Sequence, residues 1–159
     1  MKKFTVTDLM NFEFNEAGYL VCPTGDYTDI KQFEERCIFG DNCIFGKVTD
    51  FGKESVFGKG CNFGGYCDFF DDCTFGNGCK FGKYCDFGIE CIFGDACCFG
   101  EYCGFDDDCS FGNNCNFDND CNFGNDCNFG DLCYFNNNCD FGKCYFGNDC
   151  IFDKSHILQ

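Results

Sequence analysis

A six-residue repeat fills about three quarters of this chain and limits what it can fold into more than any other feature. Residues 37–155 divide into twenty units of the form C-x-F-G-x-x, and only the unit at 139–143 is one residue short. Phe holds the third position in all twenty units, and the first is Cys in all but two, where Thr49 and Ser55 stand. Residues two apart on a strand face the same side, so each unit presents a small and a large side chain together. Such a period predicts stacked units that share one core.

The fourth position of the unit predicts a bend after every short strand. It is Gly in fifteen units, Asp or Asn in four (Asp106, Asp118, Asn136, Asp153) and Phe70 in one. Gly, Asn and Asp are the residues that best tolerate positive φ. We therefore predict a corner with positive φ at this position.

The unit resembles the hexapeptide-repeat family, whose rule is a small residue, any residue, a large apolar residue, often Gly, and two more. The match covers about three quarters of the chain, with Phe where Leu, Ile or Val is usual. The resemblance implies an all-β fold, a left-handed parallel β-helix with three hexads in each triangular coil. The pentapeptide-repeat fold also favours C-x-F, but a period of five occurs only once here, at 139–143.

Residues eighteen apart are chemically alike, as three hexads per coil require. An outward apolar stripe is predicted at Ile38, Val56, Thr74 and Ile92, and an aromatic corner column at Tyr66, Tyr84 and Tyr102. Val21, Tyr27 and Phe33 extend the pattern backwards, so we predict a cap at 1–18, a solenoid of about seven to eight coils at 19–155, and a tail at 156–159. Apolar residues could cover the two ends of the core: Phe4, Leu9, Met10, Phe12 and Phe14 at one, and Ile157 and Leu158 at the other.

The cysteines are expected to be core residues, and we predict no metal and no cofactor. Zinc sites use clustered ligands and usually histidine, whereas here the spacing is six and the single histidine is His156. Free Cys behaves as a small buried hydrophobe. Cysteines stacked in adjacent coils would still be close enough for disulfides outside the cell. Cys98, beside inward Cys97, is the candidate for a reactive surface thiol, with accidental exposure as the alternative.

We expect no enzymatic activity. The family's acyltransferases and carbonic anhydrases depend on histidines on the coils, which these units lack before His156, and no insertion forms a substrate pocket. Asp106, Asp107 and Asp108 are adjacent carboxylates. On a smooth convex rod, however, nothing is expected to desolvate them and shift their pKa.

The charge favours a basic partner. The formal net charge is −16, which disfavours direct binding of nucleic acid, anionic membrane or acidic substrates. Residues 84–142 hold twelve Asp or Glu and no Lys or Arg, and the spacing of eighteen aligns the acids, from Asp50 and Glu54 onward, in two columns of one face. The predicted partner-binding residues are Asp50, Asp68, Asp72, Asp86, Glu90, Asp106, Asp107, Asp108, Asp126 and Asp140.

Three interpretations of this surface remain open. The acids could serve solubility alone. They could instead mimic a nucleic acid, since residues 84–142 hold about one charge per 1.3 Å of rod, close to the one per 1.7 Å of duplex DNA. By analogy with DNA-mimicking pentapeptide-repeat proteins, such a rod would block a DNA- or RNA-binding complex, as in phage counter-defence against CRISPR or restriction. The third is a scaffold that dimerises through the apolar stripe.

The expected location is the cytoplasm of a bacterial host cell. No apolar signal core follows the first lysines, and no run approaches the length of a membrane-spanning helix.

Overall fold

Each hexad forms one short strand in the computed structural model, which describes residues 1–153. The strands form three parallel sheets of eight, eight and seven strands, and successive strands enter successive sheets. Each strand therefore pairs with the one three further along the chain. The result is a triangular parallel β-solenoid of about seven coils with three hexads per coil, which confirms the predicted fold class.

The bounds of the strands follow the repeat. The first sheet contains β1 (Leu20–Cys22), β4 (Cys37–Phe39), β7 (Val56–Phe57), β10 (Thr74–Phe75), β13 (Ile92–Phe93), β16 (Ser110–Phe111), β19 (Asn128–Phe129) and β22 (Tyr145–Phe146). The second contains β2 (Asp26–Tyr27), β5 (Ile44–Phe45), β8 (Asn62–Phe63), β11 (Lys80–Phe81), β14 (Cys98–Phe99), β17 (Asn116–Phe117), β20 (Tyr134–Phe135) and β23 (Ile151–Phe152). The third contains β3 (Gln32–Phe33), β6 (Thr49–Phe51), β9 (Cys67–Phe69), β12 (Asp86–Phe87), β15 (Gly104–Phe105), β18 (Asn122–Phe123) and β21 (Asp140–Phe141).

The phenylalanines form three ring stacks that fill the core. From Phe39 to Phe141 every Phe at the third repeat position is at most 6% exposed. Rings one coil apart are parallel, as for Phe69 and Phe87, whose centroids lie 4.8 Å apart. Rings of consecutive hexads meet edge to face, as for Phe69 and Phe75 at 5.1 Å and 85°. Both arrangements are favourable for aromatic pairs, so one residue type packs each coil in the same way.

The repeat cysteines line the corners of the same core. Their thiols lie against carbonyl oxygens of the preceding coil, for example Cys85 Sγ at 3.4 Å from the Gly64 oxygen. Thr49 and Ser55 replace the thiol by a hydroxyl that donates to a carbonyl three residues back. Hydrogen bonding to Cys121 and burial raise the pKa of Cys103 to about 12. Because the thiolate is the reactive form, Cys103 is an inert packing residue.

The corner with positive φ lies at the sixth position of the unit, so its prediction at the fourth was wrong. Seventeen non-glycine residues with positive φ occupy the sixth position, among them Asp72 and Tyr84. This conformation turns the N–H of the corner residue toward the next coil, and Tyr84 N donates to the Glu101 oxygen at 3.0 Å. The fourth position has a different constraint, because the backbone of the preceding coil lies too close to leave room for a Cβ. A Cβ on Gly82 would lie 2.5 Å from the Gly65 nitrogen.

The short unit at 139–143 leaves the last strands in register. It lacks only the sixth, corner residue, and the ladder absorbs the loss by pairing Asn128 with Tyr145 and Tyr134 with Ile151. These partners are seventeen residues apart in place of eighteen, and Phe146 still stacks on Phe129 with centroids 5.1 Å apart.

The N-terminal residues lie against the first coil. A one-turn helix, α1 (Val6–Leu9), begins at a capping box in which Thr5 and Asp8 bond each other's backbone N–H. Phe4 is buried and stacks on Tyr27 with centroids 5.0 Å apart. Leu9 and Phe12 pack partly against the core, whereas Met10 and Phe14, also expected there, point to solvent. Ile157, Leu158 and His156 lie outside the described residues, as does the predicted tail at 156–159.

Candidate protein-binding face

The third sheet and the corner that follows it carry both predicted acidic columns. We call the outward residues of the third sheet, with the three residues after each of its strands, the acidic face. Along the sheet, Asp50, Asp68 and Asp86 occupy consecutive coils, and Gly104 and Asn122 then separate them from Asp140. The corner column consists of Glu54, Asp72, Glu90, Asp108 and Asp126, all with positive φ.

Basic residues neutralise only the N-terminal part of this face. Arg36 pairs with Glu54 at 2.8 Å, and Lys53 pairs with Asp71 at 2.6 Å. Among residues 1–153 no ion pair involves the predicted carboxylates from Asp68 to Asp140. The two ion pairs join residues eighteen apart, so the repeat spacing contained the signal for them.

Asp107 has a structural bond that the sequence analysis missed. Its Oδ1 accepts from the N–H of Asn125 at 2.6 Å, and Asn125 Oδ1 in turn accepts from the N–H of Lys143 at 3.2 Å. Asp and Asn at the fifth position of other units make the same bond to the next coil, as Asp95 does to Asn113. Side chains at this position therefore form ladders along the rod. Asp107 contributes to the fold in this way, although it is exposed like Asp106 and Asp108 beside it.

The acidic face is concave, which corrects the expectation of a smooth rod. A depression of about 600 Å³ is lined by Asp68, Asp86 and Asp106, with Phe70 and Gly104 among its other lining residues. Burial, followed by the charges of Asp50 and Asp86, raises the pKa of Asp68. Burial and the charge of Asp106 raise the pKa of Asp86, against a smaller effect of the Gly104 backbone. Partial burial therefore affects Asp68 and Asp86, two carboxylates outside the Asp106–Asp108 group for which no desolvation was expected.

The apolar stripe and the tyrosine column lie on different sides of the prism. Strand register places Ile38, Val56, Thr74 and Ile92 in consecutive coils of the first sheet. Tyr66, Tyr84 and Tyr102 stack at the corner between the second and third sheets, with centroids 4.9 and 4.8 Å apart. In a triangular rod this corner is opposite the first sheet, so the structure does not bring the two predicted self-association features together.

Cys98 is the exposed cysteine that the sequence indicated. It points outward from the second sheet between Lys80 and Asn116. Neighbouring Cys97 is fully buried, so two consecutive thiols face opposite sides of one sheet.

These features define the class of the protein, a triangular hexapeptide-type β-solenoid whose third face is acidic. Comparison of the chain with protein-family models, with curated proteins and with solved structures found no match in any of the three. Within residues 1–153 there is no cluster of three or more His, Cys, Asp or Glu able to hold a metal ion. No helix in this part of the chain has the length and hydropathy needed to cross a membrane.

Proposed function

We propose that the protein is a non-enzymatic binding protein whose acidic face occupies a basic surface of a partner protein. The observation that supports this proposal is the clustering of negative charge on one face of the rod. Seven of the twelve acids in the lysine-free stretch lie on one face, with no cation paired to them among the described residues: Asp86, Glu90, Asp106, Asp107, Asp108, Asp126 and Asp140.

Apart from the bond that Asp107 accepts from the next coil, stability does not account for this arrangement. Unit charges about 5 Å apart repel by roughly 1 kcal/mol even in water. The raised pKa of Asp68, caused by burial and by neighbouring carboxylates, is consistent with such a cost. Solubility needs only dispersed charge, and spreading the same carboxylates over three faces would avoid the repulsion. A basic partner would remove it, and the rigid coils hold the columns in place without an ordering cost on binding.

More specifically, we propose that the acidic face mimics a nucleic acid. Charges repeat along the rod at about the 4.8 Å strand spacing, so a partner that binds a phosphate backbone meets a comparable line of negative charge. By analogy with DNA-mimicking pentapeptide-repeat proteins, the proposed partner is a DNA- or RNA-binding protein or complex, and the proposed setting is phage counter-defence in the cytoplasm of a bacterial host.

Affinity purification from a bacterial lysate tests this proposal. The wild-type protein is expected to recover a nucleic-acid-binding protein that nuclease does not remove and that high salt releases. Changing Asp68, Asp86, Asp108 and Asp126 to Lys should abolish that recovery, with circular dichroism as the control for the fold. Recovery that is unchanged in this variant contradicts the proposal.

A second candidate function is self-association through the first sheet. Val21 pairs with Ile38, so a β-branched strip runs over five consecutive coils: Val21, Ile38, Val56, Thr74 and Ile92. Ile92 is 52% exposed, and strips of this kind often mark interfaces. We expect a dimer by light scattering that Val56→Lys with Ile92→Lys converts to monomer, while Asn128→Lys on the same sheet does not. A monomeric wild type rules this candidate out.

A further inference from the structure

Phe70 is the one residue of the acidic face that departs from both the repeat and the charge pattern. It stands at the fourth position, where fifteen units have Gly. One coil further on, a Cβ on Gly88 would lie 2.8 Å from the Asp71 nitrogen, so this position is crowded at its backbone. The ring of Phe70 is 52% exposed, unlike the core rings. A large side chain is therefore present where the fold favours none, and its ring faces water.

The ring separates two concavities along the rod axis. On one side lies the depression of about 600 Å³ with Asp68, Asp86 and Asp106. On the other lies one of about 310 Å³, which Phe70 shares with Asp50, Glu34 and Glu35 and with Lys53, whose ammonium is paired with Asp71. An exposed aromatic surface with carboxylates on both sides is thus part of the acidic face.

We propose that Phe70 and the larger concavity hold an arginine side chain of the partner, with the guanidinium stacked on the ring and bonded to Asp68, Asp86 or Asp106. This inference rests on the proposed function, because it names how the basic partner is recognised at the same face.

Arginine fits these groups better than lysine does. Its planar guanidinium stacks on an aromatic face while its N–H groups bond carboxylates in pairs, whereas a lysine ammonium is a compact, strongly hydrated point charge. Asp71 is already engaged by Lys53 and by the N–H of Ile89. Asp68 and Asp86 are partly desolvated by burial, which raises their pKa, so a cation bound there would offset an existing cost.

Calorimetric titration of the full chain with nona-arginine and nona-lysine tests the inference. The wild type should bind nona-arginine at least about 5-fold more tightly, the ratio expected from a cation–π contact. Phe70→Gly, which restores the repeat residue, should reduce the ratio to about one. Tyr134→Asn, which removes a partly exposed aromatic residue from the second sheet, should leave the ratio as in the wild type.

The outcomes separate this inference from the proposed function. Equal affinity for the two peptides, or a preference that persists in Phe70→Gly, overturns the arginine site. If, in that case, changing Asp68 and Asp86 to Asn abolishes binding of both peptides, the acidic face binds cations without an arginine site at Phe70. If neither peptide binds the wild type, both the site and the proposed function fail.

Discussion

At the scale of the residue, the glycine after each Phe illustrates how one sequence pattern can have two physical causes. Repeated Gly with occasional Asn or Asp indicates either positive φ or a lack of space for a Cβ. The structure assigns the conformation to the sixth position, where even Val48 has a φ of 55°, and the lack of space to the fourth. The sequence alone could not separate the two, because both constraints recur with the same period of six.

Two glycine substitutions distinguish these constraints. Gly82→Ala should lower the free energy of unfolding by about 1–3 kcal/mol, because the new Cβ meets the backbone of the preceding coil. Gly78→Asn should change it by less than about 0.5 kcal/mol, since Gly78 has a φ of 71° with nothing within 4 Å, and Asn occupies equivalent corners. Guanidinium unfolding measures both. A neutral Gly82→Ala with a costly Gly78→Asn would reverse the assignment.

The raised pKa of Asp86 predicts a stability difference with a definite sign. Since burial and Asp106 raise it above its unfolded value, the folded state binds this proton more tightly. Ionised Asp86 therefore costs stability at neutral pH, and the cost fades as pH falls through the raised pKa toward about 3.9. We expect Asp86→Asn to unfold at a higher urea concentration than wild type at pH 7 and at nearly the same concentration near pH 4.

Asp71→Asn is the matched control, because its expected effect on stability at pH 7 has the opposite sign. The ion pair with Lys53 lowers the pKa of Asp71, so its contribution is present at neutral pH and is lost as pH falls. This variant should be less stable than wild type at pH 7. If both variants are stabilised equally, relief of general charge repulsion explains the result and the desolvation of Asp86 does not.

At the scale of the element, the sequence predicted with little ambiguity where each strand lies, which strands pair and which side chains face inward. A small residue and a Phe two apart fix the inward side, and the period of eighteen fixes which hexads pair. The sequence did not predict the effect of the short unit on strand pairing. A missing residue shifts the register of the following strands unless the missing residue is one at a corner. It falls at the corner of the last described coil, and β22 and β23 keep their partners.

Corner residues should matter in the middle of the rod more than at this end. Deleting Asp108 removes the N–H that bonds the Asn125 oxygen at 2.9 Å and shortens a coil that has neighbours on both sides. We expect a loss of at least about 1 kcal/mol in thermal unfolding. An Asn inserted between Lys143 and Cys144, which restores the sixth position, should change stability by less than about 0.5 kcal/mol. An equal effect of the two changes would contradict this account of the corner.

At the scale of the whole molecule, the sequence predicted the columns of negative charge but not the depressions in the acidic face. Spacing alone aligned Asp50, Asp68 and Asp86. Two irregular residues line the larger depression, Gly104 without a side chain and Phe70 with a large one, and a rule based on spacing does not predict such exceptions. Spacing also could not show that the apolar stripe and the tyrosine column are on opposite sides of the prism.

The most direct measurement compares two variants of equal net charge in binding to the partner recovered by affinity purification. The face variant changes Asp68, Asp86, Asp108 and Asp126 to Asn, and the control changes Asn62, Ser110, Asn116 and Asn128, on the other two sheets, to Lys. Each raises the net charge of −16 by four. The face variant should lose at least about 100-fold in affinity, and the control should lose less than about 5-fold. Equal losses would show that net charge alone governs binding and would contradict a specific acidic face.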